Sequence, residues 1–195
     1  MKKFLLSVSL AVVFLFSINK NAEAQYVTIP DTAFVNWLNV NGYSACMTGN
    51  QMDTTCSDLI GGSPVGISGI NIHDLFGLQY FQFIDQVQVN NTSVDSIFYF
   101  PQLLTYASIY LDSNSLLKYI DLPQTITYNL IGISHCAFTE IPLLPNDVDE
   151  FNCSYNFLTT ISNLPTNLIA LDCNDNMLTE LNLTGLNLDD IFTQN

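Results

Sequence analysis

Two stretches decide the fold: Leu164 to Leu178, LPTNLIALDCNDNML, and Leu144 to Leu158, LPNDVDEFNCSYNFL, which lies 20 residues earlier. Both read L-P-x-x-L-x-x-L-x-C-x-x-N-x-L, with Val148 and Phe151 standing for leucine. Carried back along the chain, this register places a first apolar strand position at Val65, Val87, Ile109, Ile131, Phe151 and Leu171. Two residues on come Ile67, Val89, Leu111, Ile133, Cys153 and Cys173. Five further on come Ile72, Val94, Leu116, Phe138, Leu158 and Leu178, and then Leu75, Ile97, Tyr119, Ile141, Ile161 and Leu181. The periods are 22, 22, 22, 20 and 20 residues. Positions two apart share one face of a strand, so pairs such as Ile131 and Ile133 point into a common interior. A unit this short cannot bury its own apolar edge, and neighbours must stack to share a core. Phe100-Pro101, Leu122-Pro123, Leu144-Pro145 and Leu164-Pro165 close four units. Proline fixes φ and removes a donor, which suits an extended return rather than a helical one.

Over roughly Ser63 to Leu183, in about six units, the pattern resembles the leucine-rich-repeat family, L-x-x-L-x-L-x-x-N-x-L, and the last two units resemble its short bacterial class. The resemblance implies a leucine-rich-repeat solenoid with a parallel β-sheet on the concave side and a mostly irregular, extended convex side. It also implies a ladder of asparagines whose amides satisfy the backbone of each turn. Asn114, Asn156 and Asn176 occupy that slot, whereas Ile70, Thr92 and Cys136 depart from it, so looser turns are expected toward the N-terminal side.

Residues 1–24 carry the marks of a signal peptide. Lys2 and Lys3 precede an apolar stretch from Phe4 to Ile18, and Ala22-Glu23-Ala24 gives a small-x-small cleavage pattern. The apolar stretch is short for a membrane span, and no second one follows, so no membrane insertion is expected after cleavage. The product is expected to be secreted or displayed at the cell surface. Only Glu23 of the 18 acidic residues lies in this segment, and only Lys118 of the four basic ones lies outside it, so the formal net charge moves from −14 to −16 on cleavage. That balance excludes nucleic acid and anionic lipid as partners, because both are held through Lys and Arg.

Residues 25–62 read as an N-terminal cap. Asp31 or Thr32 is a helix N-cap, and Phe34, Trp37 and Leu38 recur at helical spacing, so a short amphipathic helix should cover the first repeat's open edge. The opening IPDTAFVNWL, the segment from Cys46 to Cys56 and the stretch from Ile72 to Phe81 resemble the N-terminal region of secreted leucine-rich-repeat proteins of the Bacteroidetes type. Cys46 and Cys56 lie in this cap and are assigned as a disulfide, which an exported protein permits. Cys136, Cys153 and Cys173 occupy repeat slots and read as buried thiols. Residues 184–195 have neither the length nor the apolar pattern of a terminal cap. The expectation is that the natural chain continues or that this tail covers the end imperfectly.

Chemistry is sparse in the sequence. Beyond residue 24 there are two histidines, His73 and His135, and no arginine. No nucleophile elbow, phosphate loop or paired metal-ligand spacing occurs, so neither enzymatic activity nor a cofactor or metal is expected. The acidic group Asp147, Asp149 and Glu150 lacks the alternating ligands of a calcium loop and reads as a solvated turn. The informative residues are those facing outward on the inner sheet. Tyr110, Asp112, His135, Glu150, Asn152, Tyr155, Asp172, Asn174 and Asp175 form the candidate binding surface. Tyrosine and charge of this kind suit a protein or carbohydrate ligand. The alternative is a structural spacer within a larger adhesin whose activity lies beyond Asn195.

Overall fold

A computed structural model describes residues 25–61, 64–69 and 71–194; residues 1–24, with the expected signal peptide, and the Ile70 ladder slot lie outside the described residues. The chain winds into a parallel β solenoid of about six turns. Its main sheet contains β4 (Val65–Ser68), β5 (Gln82–Asn90), β7 (Gln102–Tyr110), β9 (Tyr128–Gly132), β10 (Val148–Asn152), β12 (Ala170–Asp172) and β14 (Asp190–Phe192), in that spatial order and parallel throughout. On the return side, short strands pair in twos: β6 (Ser96–Ile97) with β8 (Tyr119–Ile120), and β11 (Thr160–Ile161) with β13 (Glu180–Leu181). The only α-helix among the described residues, α1 (Thr32–Val40), lies in the cap.

The sheet register is the sequence register. Val65, Val87, Ile109, Ile131, Phe151 and Leu171 stand opposite one another in successive strands, and all are buried. One continuous apolar core runs from Ile29 in the cap to Cys173. Burial of this kind stabilises by about 25 cal/mol per Å² of apolar surface removed from water.

One expectation is corrected. Leu116 and Tyr119 are exposed at 53% and 49%, whereas Leu117 and Ile120 are buried at 0% and 4%. The third unit holds one extra residue after Asn114, and Ile97 pairs with Ile120. Two adjacent leucines satisfy the apolar pattern equally well, so only stacking selects the second. The tail joins the sheet as an exposed edge strand. Ile191 lies 20 residues beyond Leu171 and pairs with it, so residues 190–192 add a seventh strand. At the two slots that depart from asparagine the hydrogen bonds differ from the ladder's. The Thr92 N–H and hydroxyl both donate to Asn114 Oδ1 (2.9 and 2.7 Å), and the Cys136 thiol donates to Leu111 O at 3.2 Å.

One carboxylate ties the cap helix to the repeats in addition to the shared core. Asp31 Oδ1 accepts from the N–H groups of Ala33 and Phe34 at 2.8 and 2.9 Å, starting α1, while Oδ2 accepts from His73 and Asp74 N–H at 2.7 and 3.0 Å. Phe34, Trp37 and Leu38 are buried beneath it. Behind the helix, β1 (Tyr26–Thr28), β2 (Met47–Thr48) and β3 (Gln51–Asp53) form an antiparallel sheet, and a disulfide joins Cys46 to Cys56. Gly77 packs against Ile29 and Phe34 with φ 118°, so a larger residue would be strained in its backbone and would displace Ile29 Cδ1, which an added Cβ would approach to 2.6 Å.

Candidate functional site

Alternation along each strand leaves a second set of side chains on the outer surface of the main sheet. Gly66, Gln88, Tyr110, Gly132, Asn152, Asp172 and Phe192 form one row across all seven strands. Gln86, Ser108, Leu130, Glu150, Ala170 and Asp190 form a second. At the strand ends a third row turns the chain. Gly69, Asn91, Ser113, His135, Tyr155 and Asp175 all adopt left-handed backbone, with φ between 51° and 67°. A left-handed residue costs about 1 kcal/mol when it is not glycine. The residues following Ser113, Tyr155 and Asp175, namely Asn114, Asn156 and Asn176, each donate to a carbonyl three residues back, whereas Thr92 and Cys136 bond to the neighbouring coils.

The ladder is regular at its last two asparagines. Asn156 Nδ2 donates to Ile133 O in the preceding turn (2.8 Å) and to Cys153 O in its own (3.1 Å). Asn176 Nδ2 donates likewise to Cys153 O and Cys173 O, and its Oδ1 accepts from Leu158 N–H.

The nine candidate binding residues divide into two groups. Asp112, Asn152, Asp172 and Asn174 are occupied internally. Asp112 Oδ1 accepts from Ser134 N–H and Oγ (3.0 and 2.8 Å), reaching past Gly132, where an added Cβ would stand 3.3 Å from it. Asn152 Oδ1 holds the Ser154 N–H and hydroxyl, Asp172 Oδ1 holds Asn174 N–H, and Asn174 Oδ1 holds Gln194 N–H. These are turn-closing acceptors first.

Glu150, His135, Tyr155 and Asp175 are exposed, and Tyr110 is half-buried. The imidazole of His135 lies flat on the Tyr155 ring, with centroids 4.0 Å apart and planes 16° apart. The Asp175 carboxylate, one turn on, raises the Tyr155 phenol above its usual range, with a smaller contribution from Asp172. The left-handed column therefore presents an ordered aromatic–imidazole–carboxylate edge along the sheet.

Phe192 was missed at the sequence level and lies 53% exposed on the sheet face. With Leu130, Ala170, Glu150 and Asp172 it lines a hollow of about 140 Å³. The signal was present in the 20-residue step from Leu171 to Ile191, which puts Phe192 beside Asp172.

Thiol chemistry is suppressed. Burial pushes Cys136 up to about 12 and Cys173 up to about 11, and it drives Cys153 higher still, so all three stay protonated at neutral pH. His135 next to Cys136 stacks on Tyr155, and its Nδ1 lies 3.3 Å from Ser134 Oγ. The one three-residue cluster of metal-ligand types among the described residues is Cys46, Cys56 and Asp58, and its two sulfurs are joined to each other. No helix among the described residues is long and apolar enough to cross a membrane. No protein-family model matches the chain, and no curated protein matches it.

Proposed function

We propose that this chain is an exported leucine-rich-repeat binding module that recognises a protein or glycan through the concave face of its main sheet. The observation that carries the reading is the edge formed by His135, Tyr155 and Asp175. It is exposed and held by a repeated backbone conformation, and its rings are already stacked. Aromatic side chains fixed before binding lose little rotamer freedom on contact, which is how a small surface gains affinity. Glu150 and the Phe192 hollow lie on the same face and extend it.

The repeat assignment rests on the asparagine ladder and the parallel register together. Export rests on the reading of residues 1–24, which a secretion assay with and without that segment tests directly. For binding, the protein is immobilised and screened against cell-surface proteins and a glycan array. The best ligand is then titrated against the variant Glu150→Gln/Tyr155→Ala/Asp175→Asn. A loss of about tenfold or more is expected, since three contacts in this class are worth about 1.4 kcal/mol or more together. Unchanged affinity in the folded variant refutes the concave-face assignment.

A further inference from the structure

On the return side of the solenoid, away from the main sheet, a cleft of about 330 Å³ opens between the first and second turns. One wall carries His73 and Asp74 and the other Ser96, Phe98 and Tyr99. We propose that this cleft binds a neutral carbohydrate, with a sugar ring stacked on Phe98, Tyr99 standing at its edge with its plane 63° away, and its hydroxyls held by Asp74, His73 and Ser96.

The aromatic wall is built, not incidental. Phe98 and Tyr99 are exposed at 54% and 38%, although Ile97 beside them is buried at 1%. Phe76 meets Tyr99 edge-on, with centroids 5.2 Å apart and planes at 90°, and it also contacts Tyr80 at 6.3 Å. Tyr119 flanks Phe98 at 5.1 Å, on the strand that pairs with β6. Large aromatic side chains left facing water and fixed by other rings are what a stacking platform requires.

The polar wall is fixed as firmly. The backbones of His73 and Asp74 are tied to Asp31, the helix cap, and Asp74 Oδ1 accepts from Phe76 N–H at 2.8 Å. Asp74 Oδ2 and the His73 imidazole make no hydrogen bond to another described residue. Ser96 donates to Asp95 Oδ1 at 2.7 Å and keeps its lone pairs free to accept. Acceptors and an imidazole opposite an aromatic face match a ring whose C–H face is apolar and whose rim is hydroxyls. The volume lies at the lower end for small-ligand sites.

Charge selects among ligands of this shape. Lys118, the only basic residue beyond residue 24, is bonded through its backbone N–H to Asp95 O next to the cleft but does not line it. A sulfated or phosphorylated sugar would therefore meet the Asp74 carboxylate and no lysine or arginine in the wall. A wholly apolar ligand would desolvate the Asp74 carboxylate without return. The site is distinct from the concave edge, so the two assignments stand or fall separately.

The test uses the full chain with neutral tri-saccharides of glucose, mannose, galactose and N-acetylglucosamine, alongside a heparin fragment and a tetralysine peptide. Saturation-transfer NMR and calorimetry read binding. One or more neutral sugars should bind at millimolar strength, and Phe98→Ala should weaken that binding by about tenfold. Asp74→Asn should weaken it too, while Tyr155→Ala/Asp175→Asn leaves it unchanged. Phe98 is half exposed, so circular dichroism should report a folded variant; Tyr119→Ala, which removes only the support, should give a smaller loss. The proposal is overturned if no neutral sugar binds at tens of millimolar. It is equally overturned if Phe98→Ala and Asp74→Asn bind the sugar normally, or if tetralysine or heparin is the only probe captured.

Discussion

Asn114→Ala should be among the most destabilising single substitutions in the solenoid. Asn114 is fully buried and makes four hydrogen bonds, with Nδ2 donating to Val89 O and Leu111 O and Oδ1 accepting from Thr92 N–H and Oγ. Alanine leaves Val89 O and Thr92 N–H buried without partners. Leu111 O keeps the Cys136 thiol, and the Thr92 hydroxyl can turn elsewhere. Two orphaned buried backbone groups at about 1–3 kcal/mol each put the cost near 4 kcal/mol. A stacked repeat array is stabilised through its neighbour interfaces, and Asn114 serves the interface on which the first two turns lean. Urea unfolding followed by far-UV circular dichroism should show the midpoint falling by about 2 M at a slope of about 2 kcal/mol/M. Ser115→Ala, at an exposed neighbour, should stay within about 0.5 kcal/mol of the parent. Combining Asn114→Ala with Thr92→Val should cost less than the sum, because the Thr92 hydroxyl donates to Asn114 Oδ1 and either change breaks that one bond. A cost below about 1 kcal/mol for Asn114→Ala would mean that the ladder does not carry the turns.

Further outcomes follow from the same contacts. Leu117→Ala should cost about 3 kcal/mol and Leu116→Ala less than about 0.5, measured by the same unfolding curves, and the reverse order would refute the inserted residue. Asp31→Asn should destabilise by about 1 kcal/mol at pH 7 through the weakened cap. Desolvation alone would raise the Asp31 carboxyl, but the N–H groups of His73, Phe34, Asp74 and Ala33 outweigh it and hold it below its usual value. That contribution is therefore complete above about pH 4, the unfolded value, and disappears as pH falls through the lower folded value. Parent and variant should converge in acid, and a constant gap down to pH 2 would contradict the assignment. Replacing Cys46 and Cys56 together by serine opens a loop of sequence separation 10 and should cost about 2.5 kcal/mol; reductant should then leave the melting temperature unchanged. The thiols of Cys136, Cys153 and Cys173 should resist a disulfide reagent in the native protein and react once it is denatured.

How far the sequence could be read depended on the kind of constraint at each residue. Val87, Ile109 and Ile131 were legible because a parallel stack forces one residue type at one interval, and the interval appears in the chain itself. Phe34, Trp37 and Leu38 were legible because helical spacing is local. Leu116 and Leu117 were not distinguishable, since both satisfy hydrophobicity and only the pairing of Ile97 with Ile120 decides between them. The candidate surface was legible as a set of positions but not as a set of free groups. Asp112, Asn152, Asp172 and Asn174 point outward by alternation, yet each is held by backbone donors that no pattern reveals. The return-side cleft left no mark, because His73 and Tyr99 meet only after a full turn of chain.

The sequence by itself determined the period, the interior face and the position of the cap, all of which follow from side chains repeating along one dimension. The tertiary structure decided which turn absorbs an extra residue, that Ile191 begins another strand, and that His135 lies on Tyr155 while the Asp175 carboxylate holds its phenol above the usual range. Those outcomes depend on distances between turns. Such distances are set by the stacking of backbone on backbone and by the left-handed residue at each strand end, and neither is written in the identity of any one residue.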